Sequence, residues 1–361
     1  MKNIHAKLFN LLREKKPLAL ATIIETKGST PQVVGASAIF FPEGLLAGTV
    51  GGGLLEADTK KKAVQAAKTR TSKIFEFYLE ADISSEEGAI CGGKARVFID
   101  AFPEKHTDTY EKLHQSVLQR KPGMLATFIN VHSDEKISVL RFWIDNKEIA
   151  QALPESPLSF FQDEVRNAFM ERKPSLLRIK KKIFPHEIKE SSLFLEPIFP
   201  LPQLVIAGAG HIGQAVAHLG SLLDFEVAVI DDRPEFANKE RLPDTDYIIV
   251  DEIARAIKNF PVSSDTYIVI VTRGHRYDGE ALRECIASDA AYIGMIGSTR
   301  KIKLMRKEFL EQGWASPQQF DRVYAPIGID INSKTVEEIA VSITAQLVLI
   351  RSKIQDKRIL Q

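Results

Sequence analysis

The chain has 361 residues, 44% hydrophobic and 26% charged, which is an ordinary globular composition with length enough for two domains that each bury a core. Its formal net charge of +1 gives no basic field for nucleic acid or acidic membranes. Two cysteines cannot build a disulfide framework and no apolar run is long enough to span a bilayer, so the expectation is a cytoplasmic protein that touches neither membrane nor nucleic acid.

The N-terminal "MKNIHAKLFNLLREKK" mixes apolar and charged residues at helical spacing and lacks the apolar core of a signal peptide. It predicts a helix from about His5 to Lys15, leading into the strand "LALATIIET". A polar loop, "TKGSTPQVVG", follows; it offers the Ser29 and Thr30 hydroxyls beside Gly28 and Gly35. The hairpin-like "SAIFFPEGLLAGTV" comes next and ends in a glycine run, Gly51, Gly52 and Gly53, that opens the helical "LLEADTKKKAVQAAKT". Such a run lets backbone N–H groups turn toward an anion where the helix dipole favours one. Glu56 lies in the first turn. A tight strand-to-helix turn with a dipole-complementing Glu would explain part of this, but three consecutive glycines exceed what a turn needs, so a ligand site is favoured.

"KIFEFYL" and "ARVFIDAF" read as strands, and between them lies "GAICGGK". Gly92 and Gly93 strip side chains from beside Cys91, and Lys94 adds positive charge that favours a thiolate. A thiolate is a nucleophile and a soft metal ligand, which makes Cys91 the candidate metal-binding residue. The competing reading is a small core residue at the start of a strand. Without a C-x-x-C or clustered histidines, structural zinc is not expected.

The sequence offers a candidate repeat of this order. Setting Pro122 against Pro17, an offset of 105, aligns "KLFNLLREKKPLALATII" with "KLHQSVLQRKPGMLATFI". "ARVFIDAFP" and "SSLFLEPIF" form a looser pair at a shorter offset. An internal duplication and a chance match both stay open on the sequence. The second half has no counterpart of "TKGSTP", "TVGGG" or "CGG".

"LEPIFPLPQ" carries three prolines and reads as a linker, which divides the chain into an N-terminal α+β domain (1–195), a linker (196–203) and a C-terminal domain (204–361). Beyond it, strands alternate with helical patterns, as in a parallel sheet covered on both faces, so the fold class is α/β with a Rossmann-like C-terminal domain. "GAGHIG" places Gly208, Gly210 and Gly213 in G-x-G-x-x-G spacing, directly after the strand "LVIA" and opening a helix. That context suits a pyrophosphate at the helix N-terminus, with His211 facing the same crevice. Asp231 ends the next strand, placed for a ribose hydroxyl and hence for NAD; Arg233 nearby is a residue that accepts a 2′-phosphate. "TRGHRYDGEAL" follows another strand and puts Thr272, Arg273, His275 and Asp278 at its carboxyl end, with His275 a candidate acid or base. Cys285 reads as a core-facing helix residue.

Taken together, "GSTPQVVGASAIF", "GTVGGGLLEA", "CGG", "LVIAGAGHIGQAVA", "VIDDRPEFA", "YIGMIGSTRKIKLM" and "APIGIDINSKTVEEIAVSI" resemble the xanthine dehydrogenase accessory factor family, the XdhC/CoxI group. Residues 106–189 carry no motif of it. The resemblance implies a chain that binds molybdenum cofactor (molybdopterin), a pterin dithiolene with a phosphate tail. It would hold the cofactor while a cysteine desulfurase supplies the terminal sulfido ligand, and insert it into a molybdenum hydroxylase such as xanthine dehydrogenase. It also implies a homodimer and favours an insertion chaperone over a catalyst. Some members carry a second cysteine after the glycine run, where this chain has Leu54, and often a histidine and an aspartate where it has Arg273 and Gly274. The competing readings are an NAD(P)-dependent oxidoreductase, with Asp231 on the ribose and His275 as acid or base, and a nucleotide-sensing scaffold.

Overall fold

Leu8, Phe9 and Leu12 recur at helical spacing and form the buried face of α1 (Ile4–Arg13). The computed structural model describes residues 4–14, 16–79, 93–151, 153, 156–179, 183 and 188–359. The chain divides between Pro200 and Leu201 into two compact units. In the first, α1 is followed by β1 (Ala19–Lys27), β2 (Ser37–Phe41), β3 (Gly44–Gly48), α2 (Gly53–Thr69), β4 (Lys73–Leu79) and β5 (Gly93–Asp100). Then come α3 (Thr107–Leu118), β6 (Gly123–His132), β7 (Ile137–Asp145), α4 (Asn146–Ala150), α5 (Gln162–Glu171), β8 (Ser175–Arg178) and β9 (Ile188–Ile198).

The two halves of this unit share one topology. The first sheet runs β3-β2-β1-β5-β4 and the second β7-β6-β9-β8, all antiparallel; without the edge strand β3 the orders coincide. The register coincides too. Leu20, Ala21 and Thr22 face Asp100, Ile99 and Phe98, while Leu125, Ala126 and Thr127 face Glu196, Leu195 and Phe194. These are the residues that the two sequence offsets pair, so the structure supports the duplication, and residues 106–189 belong to its second copy.

The repeats pack through equivalent side chains. Ala19, Ala21 and Ile23 turn toward α2, as Met124, Ala126 and Phe128 turn toward α5. The opposite faces meet each other: Ile24 and Phe98 close against Ile129 and Phe194, and Leu20 against Leu125. Each such buried side chain contributes about 1.5–3 kcal/mol of burial. Residues on α1 meet their own counterparts on α3: Phe9 stacks on His114 at 4.9 Å and His5 on Tyr110 at 6.3 Å. Charge crosses the same interface. The Arg141 guanidinium donates to Asp100 at 2.5 Å, and His5 pairs with Glu196 at 3.2 Å, so the two carboxylates at equivalent register each reach into the other repeat.

His106 sits beside this network, ahead of α3. Burial, with the Arg141 charge adding to it, pushes its imidazole down to about 4. The folded protein therefore keeps His106 neutral while the unfolded chain takes up a proton near pH 6.5. The resulting stability is intact above that pH and is lost as pH falls from 6.5 toward 4. Urea unfolding across that range should show the loss. His106→Gln should flatten the slope; an unchanged slope would remove His106 as its source.

The prolines read as a linker begin within a strand. β9 runs through Pro197 to Ile198 and pairs there with β6 alone, because β8 stops opposite Leu195. A proline is tolerated where one side of the strand is an edge. The connection is thereby shortened to residues 199–202.

The second unit comprises β10 (Gln203–Ala207), α6 (His211–Leu222), β11 (Glu226–Asp231), β12 (Tyr247–Val250), α7 (Ile253–Asn259), β13 (Thr266–Ile270) and α8 (His275–Cys285). β14 (Tyr292–Met295), α9 (Thr299–Glu311), α10 (Pro317–Asp321) and α11 (Val336–Ile359) complete it. Its parallel sheet runs β12-β11-β10-β13-β14, with one apolar core on each face. This is the Rossmann arrangement expected from the alternation of strands and helices, and its switch point lies between β10 and β13. Thr335 caps α11, its hydroxyl accepting from the Glu338 N–H while the Glu338 carboxylate accepts from the Thr335 N–H. Among the described residues no helix is long and apolar enough to cross a membrane.

Candidate functional site

The two repeats differ most at the ends of their strands. Where the second repeat turns from β6 to β7 through residues 133–136, the first inserts residues 28–36 between β1 and β2. A bulge at Ile24 breaks the β1–β5 register just before that insertion. Such bulges re-aim a strand end and accompany functional loops.

Two loops and the start of β5 gather there. Gly93, the first residue of β5, lies so close to the inserted loop that a Cβ would sit 2.0 Å from the Ser29 carbonyl oxygen. Gly51 packs on Pro31 and Gln32 of the same loop. The structure thus brings Gly28, Ser29, Thr30, the glycine run and Gly93 together. Cys91 and Gly92 lie outside the described residues. Thr30 is turned inward on its own loop, its hydroxyl donating to the Gln32 carbonyl.

The glycine run leaves the N-terminus of α2 open. Gly51 and Gly53 have φ of 114° and 64°, which favour glycine, and Cβ atoms on Gly52 or Gly53 would touch nothing. Gly52 is the N-cap, and no side chain caps the helix. Glu56 is held beside it: the Thr49 hydroxyl donates to its carboxylate at 2.5 Å and accepts from the Gly51 N–H at 3.0 Å. The site therefore presents backbone donors next to a carboxylate acceptor. Val33 on the inserted loop and Leu54 in the first turn of α2 are exposed apolar side chains.

Lys94 plays another part than expected. Its ammonium pairs with Glu76 at 2.8 Å and lies over the Tyr78 ring, and the Glu76 hydrogen bond raises its pKa. The charge expected to favour a thiolate at Cys91 is thus engaged across the β4–β5 ladder. The pairing could have been found only from the strand register, which sets Glu76 opposite Arg96 and Tyr78 opposite Lys94.

In the Rossmann unit, Gly213 backs onto the Gly208 carbonyl, where a Cβ would sit at 1.9 Å, while Gly210 faces open space at the N-cap of α6. His211 is the exposed first residue of that helix. Asp231 is buried and fully engaged: it accepts from the Ala209 N–H at 2.7 Å and from the Arg233 N–H and guanidinium. Those bonds hold its pKa below the ordinary carboxylate value against the opposing effect of burial.

Thr272 and Asp278 form a positioning pair. The Thr272 hydroxyl and N–H both donate to Asp278, at 2.6 and 3.1 Å, and burial raises the Asp278 pKa. His275 opens α8 and lines a pocket of about 350 Å³ with Met305, Phe309 and Trp314. Asp278 is therefore spent on the Thr272 loop. Among the described residues no three His, Cys, Asp or Glu side chains are grouped to hold a metal.

Cys285 is core-facing as expected: it is fully buried in α8, and burial pushes its thiol up to about 12. Only Cys91 is then expected to react with a thiol reagent in the native protein, with Cys285 reacting after unfolding. A native count of zero would put Cys91 in the core.

An antiparallel α+β unit duplicated within itself, with a glycine-rich loop cluster on one copy only, precedes a Rossmann unit: this is the class of protein that fold and site define. Residues 204–347 match the XdhC Rossmann domain and residues 11–78 match the XdhC and CoxI family. The chain belongs to the XdhC and CoxI family. It is 27% identical over 356 residues to a probable xanthine dehydrogenase subunit from Bacillus subtilis (strain 168), covering 98% of this chain and 99% of that one. It is 23% identical to the uncharacterized protein YqeB of Escherichia coli (strain K12), covering 97% of this chain and 46% of that longer protein. A crystal structure described as a xanthine dehydrogenase from Bacillus halodurans shares the fold, with a TM-score of 0.72, 24% identity, and coverage of 97% of this chain and 96% of that one.

Proposed function

We propose that this chain is an accessory factor that carries molybdenum cofactor to a xanthine dehydrogenase-type hydroxylase and holds it for sulfuration by a cysteine desulfurase. The observation that carries the reading is the open glycine run, Gly51–Gly53, packed against the inserted loop of the first repeat alone. The residues present suit such a cargo. The uncapped N–H groups of α2 would take the phosphate tail. The Glu56 carboxylate would accept from the amino and ring N–H groups of a pterin. Cys91, two residues ahead of Gly93, supplies a soft sulfur for molybdenum. The relative from Bacillus subtilis, matched end to end, is named for xanthine dehydrogenase, which supports the choice of client.

The protein's own part is to bind, orient and release. Exposed Val33 and Leu54 beside the run give the client an apolar edge on which to dock. A second copy of the chain is the proposed partner for the exposed Val341, Val348 and Leu349 of α11; sedimentation as a monomer at working concentration removes that part. The oxidoreductase reading has less support, because Asp231 and Asp278 are both spent on internal hydrogen bonds.

Purification from cells making molybdenum cofactor, followed by metal analysis and pterin fluorescence after oxidation, tests the proposal. Stoichiometric pterin is expected. Absence of pterin, with a client enzyme that matures fully without this chain, would end it.

A further inference from the structure

We infer that the Rossmann unit binds a nucleotide whose ribose carries a 2′-phosphate, held by Arg233 and Arg273. This goes beyond the cargo role and uses neither pterin nor client. In an NAD site the acidic residue ending the second strand offers its oxygens to the ribose hydroxyls. Here Asp231 ends β11, and its carboxylate already accepts four N–H bonds. Oδ2 takes the Ala209 N–H at 2.7 Å and Arg233 Nη2 at 2.9 Å; Oδ1 takes the Arg233 N–H at 3.1 Å and Nε at 2.8 Å. A carboxylate has about four such acceptor positions, so none is left for a ribose hydroxyl.

What faces outward is cationic. Arg233 gives Asp231 two of its five side-chain N–H groups and keeps the rest for a ligand. One face of its guanidinium rests on Phe236 at 3.9 Å, against which Arg241 also lies, at 4.5 Å. Arg273 arrives from the loop after β13, close enough for its charge to act against that of Arg233. It is fixed by a two-pronged bond to Asp232 at 2.6 and 2.8 Å and lies over Tyr277 at 4.2 Å. Arg233 and Arg273 are thus anchored on two consecutive carboxylates, Asp231 and Asp232, where β11 ends. A phosphate dianion suits the fork geometry of both arginines. The open Gly210 at the start of α6 leaves room for the pyrophosphate of the same ligand.

Calorimetry on the full chain with NADP and NAD, and with 2′,5′-ADP and 5′-AMP, tests the inference. The 2′-phosphorylated member of each pair should bind at least about tenfold more tightly. Arg233→Gln should abolish the preference. Because Arg233 also neutralises the buried Asp231, Arg273→Gln is the second variant, with its partner Asp232 partly exposed to solvent. It should cut the preference several-fold. Equal or tighter NAD binding, binding of neither nucleotide, or an undiminished preference in Arg273→Gln would each overturn the inference.

Discussion

Arg141→Met should unfold the N-terminal unit under conditions where the Rossmann unit stays folded. The Arg141 and Asp100 side chains are 3% and 2% exposed, and the guanidinium donates to the carboxylate at 2.5 Å. Methionine keeps most of the volume but leaves Asp100 as a buried charge, supported among the described residues by Ser72 and the Phe102 N–H. Removing one partner of a buried pair costs about 3–5 kcal/mol, a large fraction of a domain's stability. The location makes the effect wide. Arg141 sits on β7 of the second repeat and Asp100 ends β5 of the first, so the pair joins the two halves. Calorimetry should show the N-terminal transition moved down or lost. The double variant Asp100→Leu with Arg141→Met should recover most of the loss, because it removes both charges and leaves apolar volume. A single variant within about 1 kcal/mol of the wild type would show that the carboxylate finds other partners.

The duplication was legible where the repeats kept equivalent contacts. Leu8 with Leu113 and Leu20 with Leu125 share one apolar cluster, and identity at such positions survives because each side chain packs against the other copy. It was not legible across β7, α5 and β8. β7 alternates exposed and half-buried positions and buries a charged residue, Arg141, while β8 is a four-residue strand without a buried position. A buried arginine reads as a surface residue until its carboxylate is known, and that partner is far away in the chain.

The Rossmann glycines were legible because their spacing has one mechanical meaning after a strand. The state of Asp231 was not. A carboxylate followed two residues later by an arginine looks the same in sequence whether the pair is closed or open. Likewise "CGGK" showed a cation beside the cysteine but not the Glu76 that neutralises it across the ladder. Sequence displays neighbours along the chain, but not which of them a side chain engages or what lies across a ladder.

Gly52→Ser should separate folding from cargo binding. Gly52 has φ −94° and ψ 180°, extended backbone open to any residue, and a Cβ there touches nothing. Serine at this N-cap can accept a hydrogen bond from the first turn of α2, which no side chain now does. It also lowers the entropy of the unfolded chain, so the variant should be about 0.5–1 kcal/mol more stable than the wild type. The same hydroxyl occupies the N–H groups that the proposed phosphate tail would use. Pterin recovered with the purified variant should therefore fall at least about tenfold, and maturation of the client should fall with it. Gly93→Ala cannot make this separation, since its Cβ would meet the Ser29 carbonyl at 2.0 Å and disturb fold and site together. A Gly52→Ser protein that melts as high as the wild type and still retains its pterin would show that the glycine run is only a strand-to-helix turn. A variant that melts well below the wild type would show instead that the open N-terminus of α2 is needed for folding.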